Sequence, residues 1–269
     1  MPLSDYFTIG NTLYGLSVVA SYVGGYLTNV LSGPHTESFK GWVQSGDLRK
    51  LLQLGREEVI IVLPHQTESK SRELPQIAVE DALALKNVLE ILGDIGVKHP
   101  KIRHPSNLSE SDRKRNIISI GGSMTNSFTA EVLELPLADG KLDFKRSETH
   151  PDQVVLKRGD SITYTSPSYA SPRPVNAQDK IPDIGFILRR PNPRNPVSTI
   201  LVLAGIRGRG TWGASDHLRK NAKKLHARVK KDGENALDRG FLAVLDVDYE
   251  NFDITRTRIK DISSVCDDV

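Results

Sequence analysis

One stretch, residues 198–249, most constrains how this chain folds. An apolar run at 199–204 leads into a glycine-rich turn, a helical pattern covers 214–231, and a second apolar run follows at 240–245. Short β-branched runs bounded by glycine are typical of buried parallel strands, and a helix between two of them is the crossover that such strands require. The stretch therefore predicts a strand–turn–helix–strand unit whose turn lies at the carboxyl edge of the sheet, where ligands bind.

The turn in this unit contains the pattern G-x-G-x-x-G at Gly208, Gly210 and Gly213. Glycines let a backbone approach a phosphate, and the N-terminus of the following helix offers free N–H groups and the positive end of the helix dipole. The neighbouring side chains that add suitable donors are Arg207, Arg209 and Thr211. We expect a phosphate, nucleotide or other anion site here, and the alternative is a turn whose glycines serve only close packing.

An acidic residue is expected at the end of the second strand of such a unit, where it would bind the ribose of a dinucleotide. Asp246 follows the run at 240–245, although it lies further beyond Gly213 than the usual spacing of about 20 residues. Asp246, Asp248 and Glu250 would share one face if the strand continued. We take Asp246 as a ligand candidate, and the alternative is a polar turn at the strand end.

A second glycine turn follows another predicted strand, residues 116–120. Gly121 and Gly122 open this turn, and a short helix is predicted directly after it. Its polar side chains are candidates for binding an anion or a ribose, and they are Ser123, Thr125 and Asn126. The alternative is an ordinary helix cap. If the two strands are neighbours, both turns open at one sheet edge and frame a crevice, which is the expected site in an open α/β sheet.

The remaining strand candidates are residues 59–63, 142–145, 154–157, 161–165, 183–190 and 254–262. The first is wholly apolar, which predicts a central strand, and a helix that opens at Pro75 follows it. The next three alternate and predict a small antiparallel insertion at about 138–183. The predicted fold class is α/β: a Rossmann-like, mostly parallel sheet over residues 57–269, with this β insertion and with an apolar helix at the N-terminus.

That apolar helix is predicted over residues 1–33, and residues 6–32 carry no charged side chain. Small residues recur at the spacing of Ala20 and Gly24, which lets helices approach closely in membranes. Interspersed polar residues and the absence of an adjacent basic cluster argue against a membrane span. Two interpretations stay open: a membrane-associated anchor, or a buried or self-associating helix that makes a homo-oligomer. Residues 34–56 then predict an amphipathic linker.

Composition excludes several classes of function. The net charge is only +3, which makes nucleic acid an unlikely partner. The single cysteine, Cys266, cannot form a disulfide framework within one chain, and its use fits a reducing compartment. The histidines show no ligand spacing, so no metal site is predicted, and no G-x-S-x-G, H-E-x-x-H or complete P-loop occurs. We expect a cytoplasmic protein that can associate with a membrane through residues 6–32.

Three residues are candidates for catalysis. Glu80 and Glu131 lie on early helix turns and are the best placed carboxylates for attack on a ribosyl bond. His65 follows the strand at 59–63 and could reach the crevice as a general base. The alternative for His65 is a solvated or hydrogen-bonded structural histidine.

The Gly121-Gly122-Ser123 turn after a strand and the Gly208-Arg209-Gly210-Thr211 turn before a helix resemble the nucleotide-handling, Rossmann-like domains of the SLOG superfamily, over roughly residues 57–253. That superfamily includes sensors and processors of nucleotides and NAD derivatives. The resemblance implies a sensor or signalling protein for a nucleotide-type molecule. Its alternative is an enzyme that acts on NAD or a nucleoside by glycosyl-bond cleavage or hydride transfer. A third possibility is an interaction module that recruits a partner through the N-terminal helix.

Overall fold

A computed structural model describes residues 38–54, 58–64, 77–137, 141–150, 153–159, 161–169, 182–232, 236–250 and 253–265, with side chains described from residue 45 onward. The predicted apolar helix at 1–33, His65 and Cys266 lie outside these residues. None of the described helices is both long and apolar enough to cross a membrane. The described residues after Trp42 belong to one compact unit, Val43–Val269.

The elements follow one another in the order expected of a mixed α/β protein. The helices are α1 (Ser38–Leu52), α2 (Val79–Asp94), α3 (Ser127–Leu133), α4 (Gly208–Asp232) and α5 (Ala236–Arg239). The strands are β1 (Val59–Val62), β2 (Lys101–Arg103), β3 (Asn116–Ile120), β4 (Leu142–Arg146), β5 (Val154–Arg158), β6 (Ile162–Thr165), β7 (Asp183–Asn192), β8 (Asn195–Gly205), β9 (Phe241–Glu250) and β10 (Asp253–Ser264).

Seven strands form one sheet in the order β10–β9–β7–β8–β3–β1–β2. The pairs β2–β1, β1–β3 and β3–β8 are parallel. The pairs β8–β7, β7–β9 and β9–β10 are antiparallel. Parallel pairing is therefore confined to one half of the sheet, which is more mixed than the mostly parallel sheet that we predicted.

The predicted strands at 183–190 and 199–204 form an antiparallel hairpin, which places β7 between β8 and β9. β7 ends at Asn192 and β8 begins at Asn195, a connection that only an antiparallel neighbour can close. The crossover helix α4 consequently joins two parallel strands that are not adjacent. β7 is buried along nearly its whole length, as a central strand must be.

The sheet separates two hydrophobic cores. On β8, Leu201 and Leu203 face the core that α1, α2 and α4 cover. Ile200 and Val202 face the opposite core, which α3 and the small sheet cover. This alternation follows from the period of two residues along a strand, and it explains why the run at 199–204 is apolar without interruption.

The predicted antiparallel insertion is a three-stranded sheet, β4–β5–β6. It packs on the second core rather than standing away from the domain. Phe144 of β4 contacts Phe186 of β7, with ring centroids 5.7 Å apart. The insertion is therefore anchored to a central strand of the main sheet.

Helix α1 belongs to the domain, although residues 34–56 were predicted to be a linker. Its second half contributes three fully buried side chains to the first core, Leu48, Leu51 and Leu52. A hydrogen bond of 2.9 Å joins Oδ1 of Asp47 to Nδ1 of His226 in α4. The second half of α1 is thus part of the compact unit that contains the sheet.

Two other parts of the sheet differ from the sequence interpretation. β2 was not predicted because it is only three residues long, two of them charged, and is largely exposed; it joins the sheet edge through backbone pairing with β1. β9 does not end at Asp246 but continues to Glu250, alongside the predicted edge strand β10. Backbone pairing alone maintains β2, whereas the continuation of β9 also buries Val247 and Tyr249 in the first core.

Replacing Leu51 with Ala should lower the free energy of unfolding by about 2–5 kcal/mol, because it leaves a cavity in the first core. Urea denaturation of the full chain measures this change. Lys50→Ala is the matched control: its side chain is exposed on the same helix, and its effect should stay within about 0.5 kcal/mol. Equal midpoints for Leu51→Ala and the parent chain would mean that α1 is a linker after all.

Candidate functional site

The two predicted glycine turns meet at one cleft. β3 and β8 are parallel neighbours, with Ile120 opposite Leu203, so both turns leave the same sheet edge. The cleft has a volume of about 450 Å³. The predicted site residues that line it are Gly121, Gly122, Thr125, Arg207, Gly208, Arg209 and Thr211. Ser123 is half-buried and is not among the lining residues.

The glycines of the pattern G-x-G-x-x-G have two different roles. A Cβ on Gly210 would overlap the carbonyl oxygen of Ile184, and one on Gly213 would overlap the side chain of Val247. Gly210 and Gly213 thus allow α4 to pack directly on the strands. For these two glycines, the role is close packing rather than ligand binding. Gly208 lines the cleft instead, and a Cβ there would come to 3.1 Å from the side chain of Glu80.

A buried carboxylate that the sequence interpretation missed caps the start of α4. Asp183, only 1% exposed, accepts hydrogen bonds through Oδ2 from the backbone N–H groups of Arg207 at 3.2 Å and Gly210 at 2.7 Å. Burial raises the pKa of Asp183, and hydrogen bonds from Ser166 and the backbone oppose that rise. Two N–H groups at the start of the helix are therefore already bonded to a carboxyl group of the protein itself. An acid at the first position of an apolar strand was the available signal.

Two arginines bring positive charge to the cleft without a carboxylate partner among the described residues. The Arg207 guanidinium lies 5.3 Å from the ring centroid of Tyr169 and donates to Oγ of Ser168 at 3.4 Å. The Arg209 guanidinium lies 4.4 Å from the ring centroid of Tyr249. Cation–π contacts orient a guanidinium without neutralising it. Both side chains are thus held in place with charge available for an anionic group.

Two acids of the first turn of α2 line the same cleft. Glu80 was a predicted catalytic candidate, and Asp81 was not. Burial, and then the neighbouring charge of Glu80, raise the pKa of Asp81 to about 6. A carboxyl group with this pKa exchanges a proton near neutral pH, which is the property of a general acid or base. The signal that was available in the sequence is a pair of acids at the start of the helix after a central strand.

Asn126 is a helix cap and cannot serve as a ligand donor. Its Oδ1 accepts from the backbone N–H groups of Phe128 at 3.1 Å and Thr129 at 3.2 Å. Its Nδ2 donates to Oγ of Ser119 at 3.0 Å and to the carbonyl of Ile120 at 2.8 Å. The side chain is fully buried and its hydrogen-bonding capacity is used inside the fold. Asn126 is therefore an ordinary helix cap, which was the alternative to a role in binding an anion or a ribose.

Two further candidates lie away from the cleft. The carboxylate of Glu131 accepts from Arg113 at 2.5 Å and from Arg194 at 3.1 Å, in an ion-pair network of its own. Asp246 pairs with Lys260 of β10 at 3.0 Å, and neither acid lines the cleft. Sequence position on an early helix turn or near a strand end does not specify which way these side chains face.

The lining residues give the cleft three distinct surfaces. Arg207 and Arg209 supply cations on the α4 side, and Glu80 and Asp81 supply acids on the α2 side. Phe144 of the small sheet adds an aromatic ring, so the insertion does reach the cleft. Within the described residues, no group of three or more His, Cys, Asp or Glu side chains is placed to bind a metal ion. The cleft suits a molecule that combines an anionic group, hydrogen-bond donors and a flat apolar part.

Replacing Gly210 with Ala should cost about 1–3 kcal/mol of stability, because the new methyl group forces α4 away from β7. The matched control is Gly208→Ala, whose methyl group meets only the flexible side chain of Glu80 and should cost less than about 1 kcal/mol. Thermal and urea unfolding measure both variants. An equal loss in the two variants would contradict the division of roles between these glycines.

Comparisons with known proteins add no family assignment. No model of a protein family matches the chain. No curated protein matches its sequence either. The resemblance to the SLOG superfamily consequently stays an expectation, and the case for a function rests on the geometry and charge of the cleft.

Proposed function

We propose that this chain forms a Rossmann-like domain that binds a nucleotide or another phosphate-bearing small molecule in the cleft and acts as a sensor or signalling protein. The observation that carries the proposal is that Arg207 and Arg209 both line one cleft and form no ion pair with a described carboxylate. Arginine binds phosphate through paired, charge-assisted hydrogen bonds. The backbone N–H groups of Gly208 and Arg209 have no acceptor among the described residues and add two donors at the start of α4.

The other cleft residues favour a nucleotide over a bare phosphate. Glu80 and Asp81 can accept hydrogen bonds from ribose hydroxyls or from exocyclic amines of a base. Phe144 presents an aromatic ring against which a base can pack. A volume of about 450 Å³ falls within the range of small-molecule sites. NAD and related nucleotides carry all three chemical features, and the resemblance to the SLOG superfamily points to the same class of ligand.

Replacing Arg207 and Arg209 together with Gln should weaken binding at least about tenfold per residue, since each removes a charge-assisted hydrogen bond of roughly 1.5–3 kcal/mol. The measurement is thermal shift and calorimetry with a panel of NAD, NADP, ATP, GTP and cyclic dinucleotides. A ligand present at about 100 times its Kd stabilises the native state by about 2.7 kcal/mol.

The control for this experiment is Arg256→Gln, which removes an exposed arginine of β10 outside the cleft. It should leave affinity unchanged. A ligand that binds the double variant and the parent equally well would place the binding site elsewhere.

Enzymatic turnover is the alternative function, and Asp81 is the observation that favours it. A carboxyl group with a pKa of about 6, in a cleft with arginines, can donate a proton to a leaving group or accept one. Cleavage of the glycosyl bond of a nucleoside is assisted by a proton donor to the departing base, whereas the nicotinamide of NAD leaves as a neutral base and needs a carboxylate that stabilises the positive charge developing on the ribose. Oxidation of an alcohol by hydride transfer from its carbon needs a group that accepts the hydroxyl proton. Glu80, which borders the same cleft, is the second carboxylate available to an enzyme of either kind.

Asp81→Asn distinguishes the two functions, and it also has a defined effect on stability. The pKa of Asp81 is raised by folding, so the native state holds a proton that the unfolded chain has already released between about pH 4 and pH 6. Stability therefore falls as pH rises through this window, by up to about 3 kcal/mol, and Asn removes this dependence. Urea denaturation of both proteins from about pH 4 to pH 8 measures the difference.

The same variant is tested for turnover by chromatography of each ligand after incubation. Consumption by the parent and none by Asp81→Asn, with binding retained, identifies an enzyme. Intact ligand with both proteins supports the sensor. If the pH dependence of stability is the same in parent and variant, the buried carboxyl group at residue 81 does not titrate as described.

The N-terminal residues 1–33 lie outside the described part of the chain, and their role stays a prediction. They would anchor the protein to a membrane or join copies of it into a homo-oligomer, as the uncharged stretch at 6–32 and its small-residue spacing indicate. An interaction module that recruits a protein partner through this segment is the third possibility. Either role is compatible with ligand binding by the domain that follows.

A further inference from the structure

The second half of α4 carries a concentration of exposed positive charge. The backbone of α4 departs from helical geometry at Asn221, so the residues after it form a helical segment of their own. The exposed cations of this segment are Lys223, Lys224, Arg228, Lys230 and Lys231. The segment has these five cations and one acid, Asp232, so its net charge is +4. The net charge of the whole chain is only +3. We call these five side chains the cationic face.

The cationic face is held rigidly by the core. Ala222, Leu225 and Val229, on the opposite side of the segment, are buried with at most 1% exposure and pack in the first hydrophobic core. The cations therefore project from a fixed surface rather than from a mobile tail. A surface of fixed geometry can contact a broad partner without losing backbone freedom on binding.

No described carboxylate neutralises the cationic face. In the first half of α4, Arg219 pairs with Glu90 at 2.7 Å and Lys220 pairs with Asp216 at 2.9 Å. None of the five cations of the second half forms such a pair with a described residue. Asp47 of α1 is the nearby acid, and its carboxylate is already bonded to His226. An external partner is thus the available source of negative charge.

The sequence also contains an apolar segment. Residues 6–32 carry no charged side chain. An apolar segment and a basic surface in the same chain are the two signals that together give stable attachment to a membrane.

We propose that the cationic face binds the surface of a bilayer that contains anionic lipids. Each lysine or arginine close to such a surface strengthens binding by roughly fivefold, and the attraction is screened at high salt. A single-stranded nucleic acid site combines cations with aromatic rings on which bases stack. The sequence from 221 to 232 contains no Phe, Tyr or Trp, so lipid phosphates are the better match.

The test uses the full chain and sedimentation with two kinds of vesicle, pure phosphatidylcholine and phosphatidylcholine with about 30% phosphatidylserine, in about 0.1 M NaCl. The test variant replaces Lys224, Arg228 and Lys231 with Gln. The matched control replaces three exposed lysines elsewhere, which are Lys114, Lys141 and Lys145. Circular dichroism and thermal unfolding confirm that all three proteins have the same fold and stability, as expected for exposed substitutions.

The parent and the control should bind the anionic vesicles much more tightly than the neutral ones, and the test variant should lose roughly a hundredfold of that preference. Equal binding of the parent to both vesicles would overturn the proposal, because the apolar segment alone would then account for attachment. A preference that the test variant retains would overturn it as well. Tighter binding of the parent to single-stranded RNA than to anionic vesicles, abolished in the test variant, would replace the membrane with nucleic acid. None of these outcomes depends on the cleft.

Discussion

The direct contact of α4 with β7 and β8 is the constraint on which the rest of the structure depends. A Cβ on Gly185, Gly205 or Gly210 would overlap backbone atoms of the facing element, so helix and strands meet main chain to main chain. The carboxylate of Asp183 then binds two N–H groups at the helix start. Together these contacts determine where α4 begins, and hence where the arginines of its first turn stand relative to the sheet edge.

The cleft separates charges that would otherwise neutralise each other. Arg207 and Arg209 form no ion pair with Glu80 or Asp81, although all four line the same space. The rings of two tyrosines hold the guanidinium groups on one side, and burial keeps Asp81 largely protonated at mildly acidic pH on the other. Such an arrangement is preorganised: a ligand completes the charge balance without having to break an internal salt bridge first.

The sequence was sufficient for the parts of the fold that depend on local pattern. The apolar strands and the antiparallel insertion follow from periodicity and turn composition, whereas the shared edge of the two glycine turns also required β3 and β8 to be neighbours, which only the structure shows. The position of β7 in the sheet and the burial of α1 did not, because both depend on which surfaces pack together in three dimensions. For the same reason, Asp183 was missed and Gly210 proved to be structural, because Asp183 binds N–H groups of Arg207 and Gly210, and Gly210 packs against Ile184. Asn126 proved to be a helix cap through local hydrogen bonds, which was the alternative considered for it.

The insertion of β7 between β8 and β9 has a consequence for how the chain folds. Strands β7 to β10 are consecutive in the chain, so this half of the sheet assembles from elements that are close in sequence. In the other half, β3 must pair with β8, although the whole β4–β5–β6 sheet lies between them in the sequence. Contacts between residues so far apart in sequence form slowly. The edge of β8 is therefore unpaired for part of the folding process. During that interval it offers a template for another chain, which makes the newly synthesised protein dependent on rapid docking of β3.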